Sequence, residues 1–202
     1  VVAAPDTDAI RHALREVVAK GLSVVQVVSR IVDEADFVGT ENHAAGRTAG
    51  LMLSRMCRSS GSVLALCHSG SYEVHCARLR GFSDYLTANT PDALRFVFTA
   101  FGQDNRDLTA RRLREALREW PDLAAIYNVG GANTAVFDVL SRLDRNIFLV
   151  GHELTDDSAQ ALRSGVADVI FDQMPEAQAR RAIDIPFSRL GLIDVAIDNP
   201  PI

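Results

Sequence analysis

From residue 62 onward, short apolar runs alternate with longer amphipathic ones, and this alternation constrains the fold more than any other feature of the chain. Strand-like runs fall at 62–67, 94–99, 123–127, 146–150 and 167–171, and helical spacing fills 73–88, 106–119, 131–143, 155–164 and 175–190. A helix between consecutive strands is a crossover, and crossovers join parallel neighbours. The pattern predicts an α/β fold, a parallel sheet with helices on both faces. Leu108, Leu113, Ala116 and Leu117 share one helix face and are expected to pack on that sheet.

The first sixty residues use the same elements less regularly. Spacing over 6–20 predicts a helix capped by Asp6 or Thr7 and stopped at Gly21. The β-branched run 23–28 predicts a strand, 37–39 a short one, and Asn42 to Met56 a helix with small residues along one face. The opening Val1-Val2-Ala3-Ala4-Pro5 reads as the end of a strand, so further residues are expected upstream.

The strand ends are the polar part of the pattern. Ile147–Val150 runs into Gly151-His152-Glu153-Leu154-Thr155, Leu64–Cys67 into His68-Ser69-Gly70-Ser71, and Leu123–Tyr127 into Asn128-Val129-Gly130-Gly131. In open parallel sheets ligands sit beyond the carboxyl ends of the strands, so these three ends are expected to line one crevice. Gly130-Gly131 has neither phosphate-loop nor dinucleotide spacing. His152 has no second His or Cys at metal-ligand spacing and no nucleophile beside it, and His12, His43, His68 and His75 are scattered along the chain. A binding protein is therefore expected, not an enzyme, with no catalytic residue, metal or cofactor.

The totals narrow the class further. The 202 residues are 48% hydrophobic and 23% charged, as in ordinary globular proteins. The net charge of -5 argues against a nonspecific nucleic-acid surface within this chain. Three cysteines, Cys57, Cys67 and Cys76, are an odd number and read as small buried hydrophobes of a reducing compartment. No signal peptide is recognisable, and no apolar run approaches the roughly 20 residues of a membrane helix. A soluble, cytoplasmic protein without membrane contact is expected.

Several segments carry a resemblance. Glu41-Asn42-His43-Ala44-Ala45-Gly46-Arg47-Thr48-Ala49, Arg78-Leu79-Arg80-Gly81-Phe82, Asn128 after its strand, Val150-Gly151-His152-Glu153 and Phe171-Asp172-Gln173 stand in order over about 150 residues. Together they resemble the effector-binding core of LacI/GalR-family transcriptional regulators, which shares a two-lobed fold with periplasmic sugar-binding proteins. The chain departs from that pattern at Asn128-Val129-Gly130-Gly131 and at Gly151-His152-Glu153-Leu154.

The resemblance implies a two-lobed periplasmic-binding-protein-like fold, each lobe a parallel sheet flanked by helices. An N-terminal lobe would comprise 1–40 and 172–190, incomplete at its start, and a C-terminal lobe 41–171 and 191–202. It also implies an effector domain that senses a sugar or sugar derivative by lobe closure. A homodimer would couple closure to operator DNA through a helix-turn-helix headpiece that is not in this chain. The alternative is a solute-binding protein of a sugar ABC transporter.

A vicinal diol pairs well with groups that make two hydrogen bonds at once, so Arg78 and Glu153 are the leading candidate contacts. Arg78 is expected near the start of its helix, with a surface pairing to Glu73 as the alternative, and truncation of either residue is expected to leave the fold intact. Asn128 both donates and accepts, or serves its turn. Tyr72 could stack on a sugar face, and Ser69 could bind or cap. Gln173 lies by resemblance at a crossing between lobes, Ser29 follows the first strand, and Asn42 either binds or caps its helix. Phe101 and Asp104 follow the strand at 94–99 and complete the expected ligand-binding set.

Overall fold

A computed structural model of the chain describes residues 1–68, 73–90 and 93–194. In chain order the elements are α1 (Asp8–Ala19), β1 (Val25–Val27), β2 (Asp36–Val38), α2 (Asn42–Met56), β3 (Gly61–Cys67), α3 (Glu73–Asn89), β4 (Leu94–Phe101), α4 (Arg106–Glu119), β5 (Leu123–Asn128), α5 (Asn133–Leu140), β6 (Phe148–His152), α6 (Asp156–Arg163), β7 (Val169–Phe171) and α7 (Pro175–Arg189). They form two compact units. The first takes Val1–Glu41 and the residues after Asp172, and the second takes the chain between them apart from a short stretch at the start of α3.

The second unit is a five-stranded parallel sheet in the order β4-β3-β5-β6-β7. Its central strands β3, β5 and β6 are largely apolar on both sides because both faces are covered. On one face α4, α5 and α6 bury Leu113, Ala116, Val136, Leu140 and Ala161 against Leu64, Leu66, Ile126 and Leu149. On the other, α2 and α3 bury Ala49, Leu53, Phe82 and Leu86 against Val63, Ala65, Tyr127 and Val150. The chain leaves β3 toward β4 and leaves β5 toward β6, in opposite directions. That reversal opens a crevice beyond the carboxyl ends of β3 and β5, the place where this topology accommodates a ligand.

Close contact between α2 and α3 rests on two glycines. A Cβ on Gly46 would stand 1.9 Å from the Arg78 carbonyl oxygen, and one on Gly81 would stand 2.0 Å from the His43 carbonyl oxygen. Both glycines belong to the two helix segments that carry the resemblance. Their lack of side chains lets the helix backbones touch, and Asn42 at the start of α2 comes within hydrogen-bonding reach of Arg78 inside α3.

In the first unit β1 and β2 pair in parallel, and Val2 adds a bridge, its N–H donating to Val25 O at 2.8 Å. Leu14 of α1 packs with Val24, Ile31 and Val32, while Ala182 and Ile185 of α7 pack with Val25 and Val38. Gln26 is buried and holds the following loop, its Oε1 accepting from the N–H groups of Ile31 and Val32 and its Nε2 donating to Val32 O. Residues 191–194, expected in the C-terminal lobe, follow α7 within this unit, and 195–202 lie outside the described residues.

Two of the elements that fall short of the ranges the sequence predicts do so for evident backbone reasons. The strand expected over 23–28 ends at Val27, because Val28 has φ 70°. The helix expected from 131 starts at Asn133, because Gly131 and Ala132 both adopt left-handed φ, 83° and 49°. The strand expected to end at 99 instead continues to Phe101.

Candidate ligand-binding site

The polar groups of the second unit gather at the carboxyl ends of β3, β4, β5 and β6, around the buried guanidinium of Arg78. Arg78 lies inside α3, not at its start, and is 2% exposed. Its Nε donates to Asn42 Oδ1 at 2.8 Å and its Nη1 to Val129 O at 3.0 Å. Its burial rules out the surface location that the alternative reading, a pairing with Glu73, required. Burial lowers the Arg78 pKa from its usual range, and the nearby Tyr127 and Glu153 oppose that shift.

Tyr127, at the end of β5, and His152, at the end of β6, are both buried, and the Tyr127 hydroxyl shares a 2.8 Å hydrogen bond with His152 Nε2. Phe82 packs on Tyr127 at 4.6 Å between ring centroids and Phe171 on His152 at 5.3 Å. Burial, reinforced by Arg78 and His75, holds His152 well below its ordinary pKa, so the ring is neutral. Burial likewise pushes the Tyr127 phenol up. The pair acts as a rigid neutral floor beneath Glu153.

Glu153 turns away from the strand with φ 73° and is exposed. Its N–H donates to Phe171 O at 2.9 Å, and its carbonyl accepts from Ser158 Oγ at 2.8 Å. Partial burial raises its carboxyl pKa; Arg78 opposes the shift and Asp104 adds to it. Glu153, Arg78 and Asp104 therefore share one electrostatic neighbourhood.

Asn128 is 1% exposed, and its Nδ2 donates to Gly131 O at 3.0 Å and to Asn133 Oδ1 at 2.7 Å. Asn133 Nδ2 in turn donates to His152 O at 2.9 Å. This chain of amides ties the β5–α5 turn to the end of β6. Of the two roles open to Asn128, the described geometry places its donors in the turn. Asn42 likewise serves Arg78 at the start of α2.

The expected residues separate by unit. Asn42, Arg78, Phe101, Asp104, Asn128 and Glu153 belong to the second unit, while Ser29 and Gln173 belong to the first. Ser29 follows β1, its N–H bonded to Val27 O at 2.8 Å, and Gln173 precedes α7, its carbonyl accepting from Gln178 Nε2 at 2.6 Å. Phe101 ends β4 with its ring 43% exposed. Ser69 and Tyr72 lie outside the described residues.

Two histidines that look scattered in the sequence are brought into this site. His68 Nδ1 lies 2.7 Å from Asp104 Oδ2, and the His68 and His75 rings meet edge to face at 6.3 Å. Burial, with Arg78 close by, depresses His75 to about 4. His68 directly follows a buried strand, the signal that could have marked it. His75 has no such signal, since its proximity depends on how α3 lies across the sheet. Among the described residues no group of three or more His, Cys, Asp or Glu side chains could hold a metal ion.

Comparison with known proteins extends the picture. The chain resembles a solute-binding protein of an ABC transporter from Burkholderia graminis C4D1M, solved in complex with D-arabinose, at 17% identity over 96% of this chain and 69% of that one, with a TM-score of 0.84. It is also similar to a glucose-galactose binding protein from Geobacillus stearothermophilus, at 20% identity over 96% and 71% with a TM-score of 0.84. A third likeness is a solute-binding protein from Agrobacterium vitis bound to α-D-tagatopyranose, at 16% identity over 95% and 68% with a TM-score of 0.82. At these identities the likeness is one of fold, the α/β periplasmic-binding-protein-like arrangement of parallel sheets flanked by helices. No curated protein sequence matches the chain. The sequence profile of the periplasmic binding protein domain matches residues 1–188, nearly the whole chain, and the chain therefore belongs to the periplasmic binding protein domain family.

Proposed function

We propose that the chain is a sugar-binding domain that recognises a small hydroxyl-rich ligand without transforming it, in the manner of the solute-binding protein of a sugar ABC transporter. The observation that carries this reading is the convergence of Arg78, Asp104 and Glu153 at the strand ends of the second unit, above the neutral Tyr127–His152 pair. Two carboxylates close to a buried cation offer acceptors at close spacing, which suits the hydroxyls of a polyol. The similar solved structures, bound to D-arabinose and α-D-tagatopyranose, support the same ligand class. Phe101 adds an apolar face, with Asn42 and Asn128 supporting the site from beneath; Ser29 and Gln173 are proposed as ligand-binding residues of the first unit.

Thermal-shift titration with D-arabinose, D-glucose, D-galactose and D-tagatose tests this reading, because a ligand of the native state raises the melting temperature. A rise with at least one sugar, absent in Glu153→Ala, is expected. No rise with any of them overturns it.

A second reading is the effector domain of a LacI/GalR-type regulator, acting in the cytoplasm as a homodimer on operator DNA. It is favoured by the Asn42–Arg78 bond, which joins the two helix segments resembling that family, and by Cys57, Cys67 and Cys76 standing outside any disulfide. The gene sequence upstream of Val1 separates the readings: a helix-turn-helix supports the regulator and a secretory signal supports the transport protein.

A further inference from the structure

Asp104 is held in an unusual position. It follows Gln103, and both residues, neither of them glycine, have left-handed φ, 50° and 52°. Side chains rarely accept this backbone, and two in succession persist only where the surroundings impose them. Here the imposition is visible, since Gly102 N–H donates to Cys67 O and Gln103 N–H to His68 O, both at 2.8 Å. The β4–α4 loop is thereby fastened to the end of β3, and the Asp104 carboxylate is delivered to His68.

The same carboxylate leans on the β5–α5 turn. A Cβ on Gly131 would stand 1.7 Å from Asp104 Oδ1, and a Cβ on Gly130 would stand 2.7 Å from His75 Nε2. The Gly130-Gly131 pair, one of the departures from the LacI/GalR pattern, is thus the seat on which Asp104 and His75 rest. Although wedged between two strand ends, the Asp104 side chain is 55% exposed and that of His68 is 22% exposed, so both remain accessible to a solute. Arg78, by contrast, is buried and already bonded to Asn42 and Val129.

We propose that the His68–Asp104 pair, seated on Gly131, reads ligand hydroxyls directly and sets the choice between sugar epimers, while Arg78 acts as a positioning residue. This inference rests on the sugar-binding reading above. Asp104 accepts from a ligand hydroxyl, and His68, oriented by the Nδ1 contact, presents Nε2 to a neighbouring hydroxyl. The absence of a side chain at Gly131 is what lets the Asp104 carboxylate reach this position.

Isothermal titration calorimetry with D-arabinose, D-glucose, D-galactose and D-tagatose, on the whole chain and on Asp104→Asn, His68→Gln, the double variant and Gly131→Ala, tests the proposal. For the tightest of these sugars, Asp104→Asn and His68→Gln are each expected to weaken binding by about tenfold or more. The double variant should lose little beyond the worse single one, and the ratio of affinities for D-glucose and D-galactose should change. A role confined to holding the loop would lower thermal stability and leave that ratio alone. Affinities within about twofold of the unmodified chain in both single variants overturn the proposal. Should Gly131→Ala fail to fold, the two side-chain variants decide. Absence of binding by the unmodified chain overturns the sugar reading itself, whereas binding that ignores both substitutions overturns only the assignment to His68 and Asp104.

Discussion

The Tyr127 hydroxyl and His152 Nε2 share a 2.8 Å hydrogen bond beneath the strand ends, with both side chains buried and the imidazole neutral. Neither group reaches water, so each depends on the other. Tyr127→Phe leaves His152 Nε2 without that partner and is expected to destabilise the fold by about 1–3 kcal/mol, read from urea unfolding. An unchanged midpoint would mean that the bond contributes nothing.

Arg78 carries a structural load that the sequence does not reveal. Its loss leaves the Val129 carbonyl and the Asn42 amide oxygen without their donor, so Arg78→Ala is expected to lower stability by about 3 kcal/mol as well as weakening ligand binding. Glu153→Ala, at an exposed position, should shift stability by about 0.5 kcal/mol or less. Equal stability of the two variants in chemical denaturation contradicts this account.

Acid should weaken the protein through His75. Its folded value of about 4 lies below the ordinary 6.5, so the unfolded chain takes up the proton first as pH falls. Stability linked to this ring is therefore constant above 6.5, declines between 6.5 and about 4, and levels off below. The carboxyls of Glu153 and Asp168, raised by burial, work in the opposite direction, so the informative quantity is the difference between the unmodified chain and His75→Gln. A difference that does not vary with pH across that window excludes the mechanism.

The α2–α3 contact makes a prediction independent of the ligand. Gly81→Ala places a methyl 2.0 Å from the His43 carbonyl, against backbone that cannot move without parting the helices. A loss of about 3 kcal/mol is expected in thermal unfolding. Wild-type stability would show that the helices separate freely.

Burial pushes the Cys67 thiol up to about 12, so at neutral pH it is protonated and enclosed at the end of β3. Cys67 should resist alkylation by iodoacetamide until the chain is unfolded, as followed by peptide mass spectrometry. Rapid labelling of the native protein would contradict this.

How much of this was legible beforehand follows from the range of the interactions involved. Apolar runs such as Leu64–Cys67 and Leu123–Tyr127 announce buried parallel strands locally, because both faces of such a strand must be apolar. The polar residues at their ends, His152-Glu153 above all, could be read as a site from the same local pattern. The glycines of the two helix segments were visible as a motif, but not as the contact surface that they form.

Sequence alone determined the α/β alternation, the sheet's buried strands and the position of the polar strand ends, since each depends on the periodicity of neighbouring residues. Tertiary structure decided the rest. It committed Arg78 to Asn42 and Val129, directed the Asn128 donors into their own turn, and gathered His68, His75 and Asp104 from three separate elements. The contacts of Arg78 and the His68–Asp104 contact join residues far apart along the chain. They arise only when the strand order β4-β3-β5-β6 sets the carboxyl ends side by side, a juxtaposition that no local periodicity encodes.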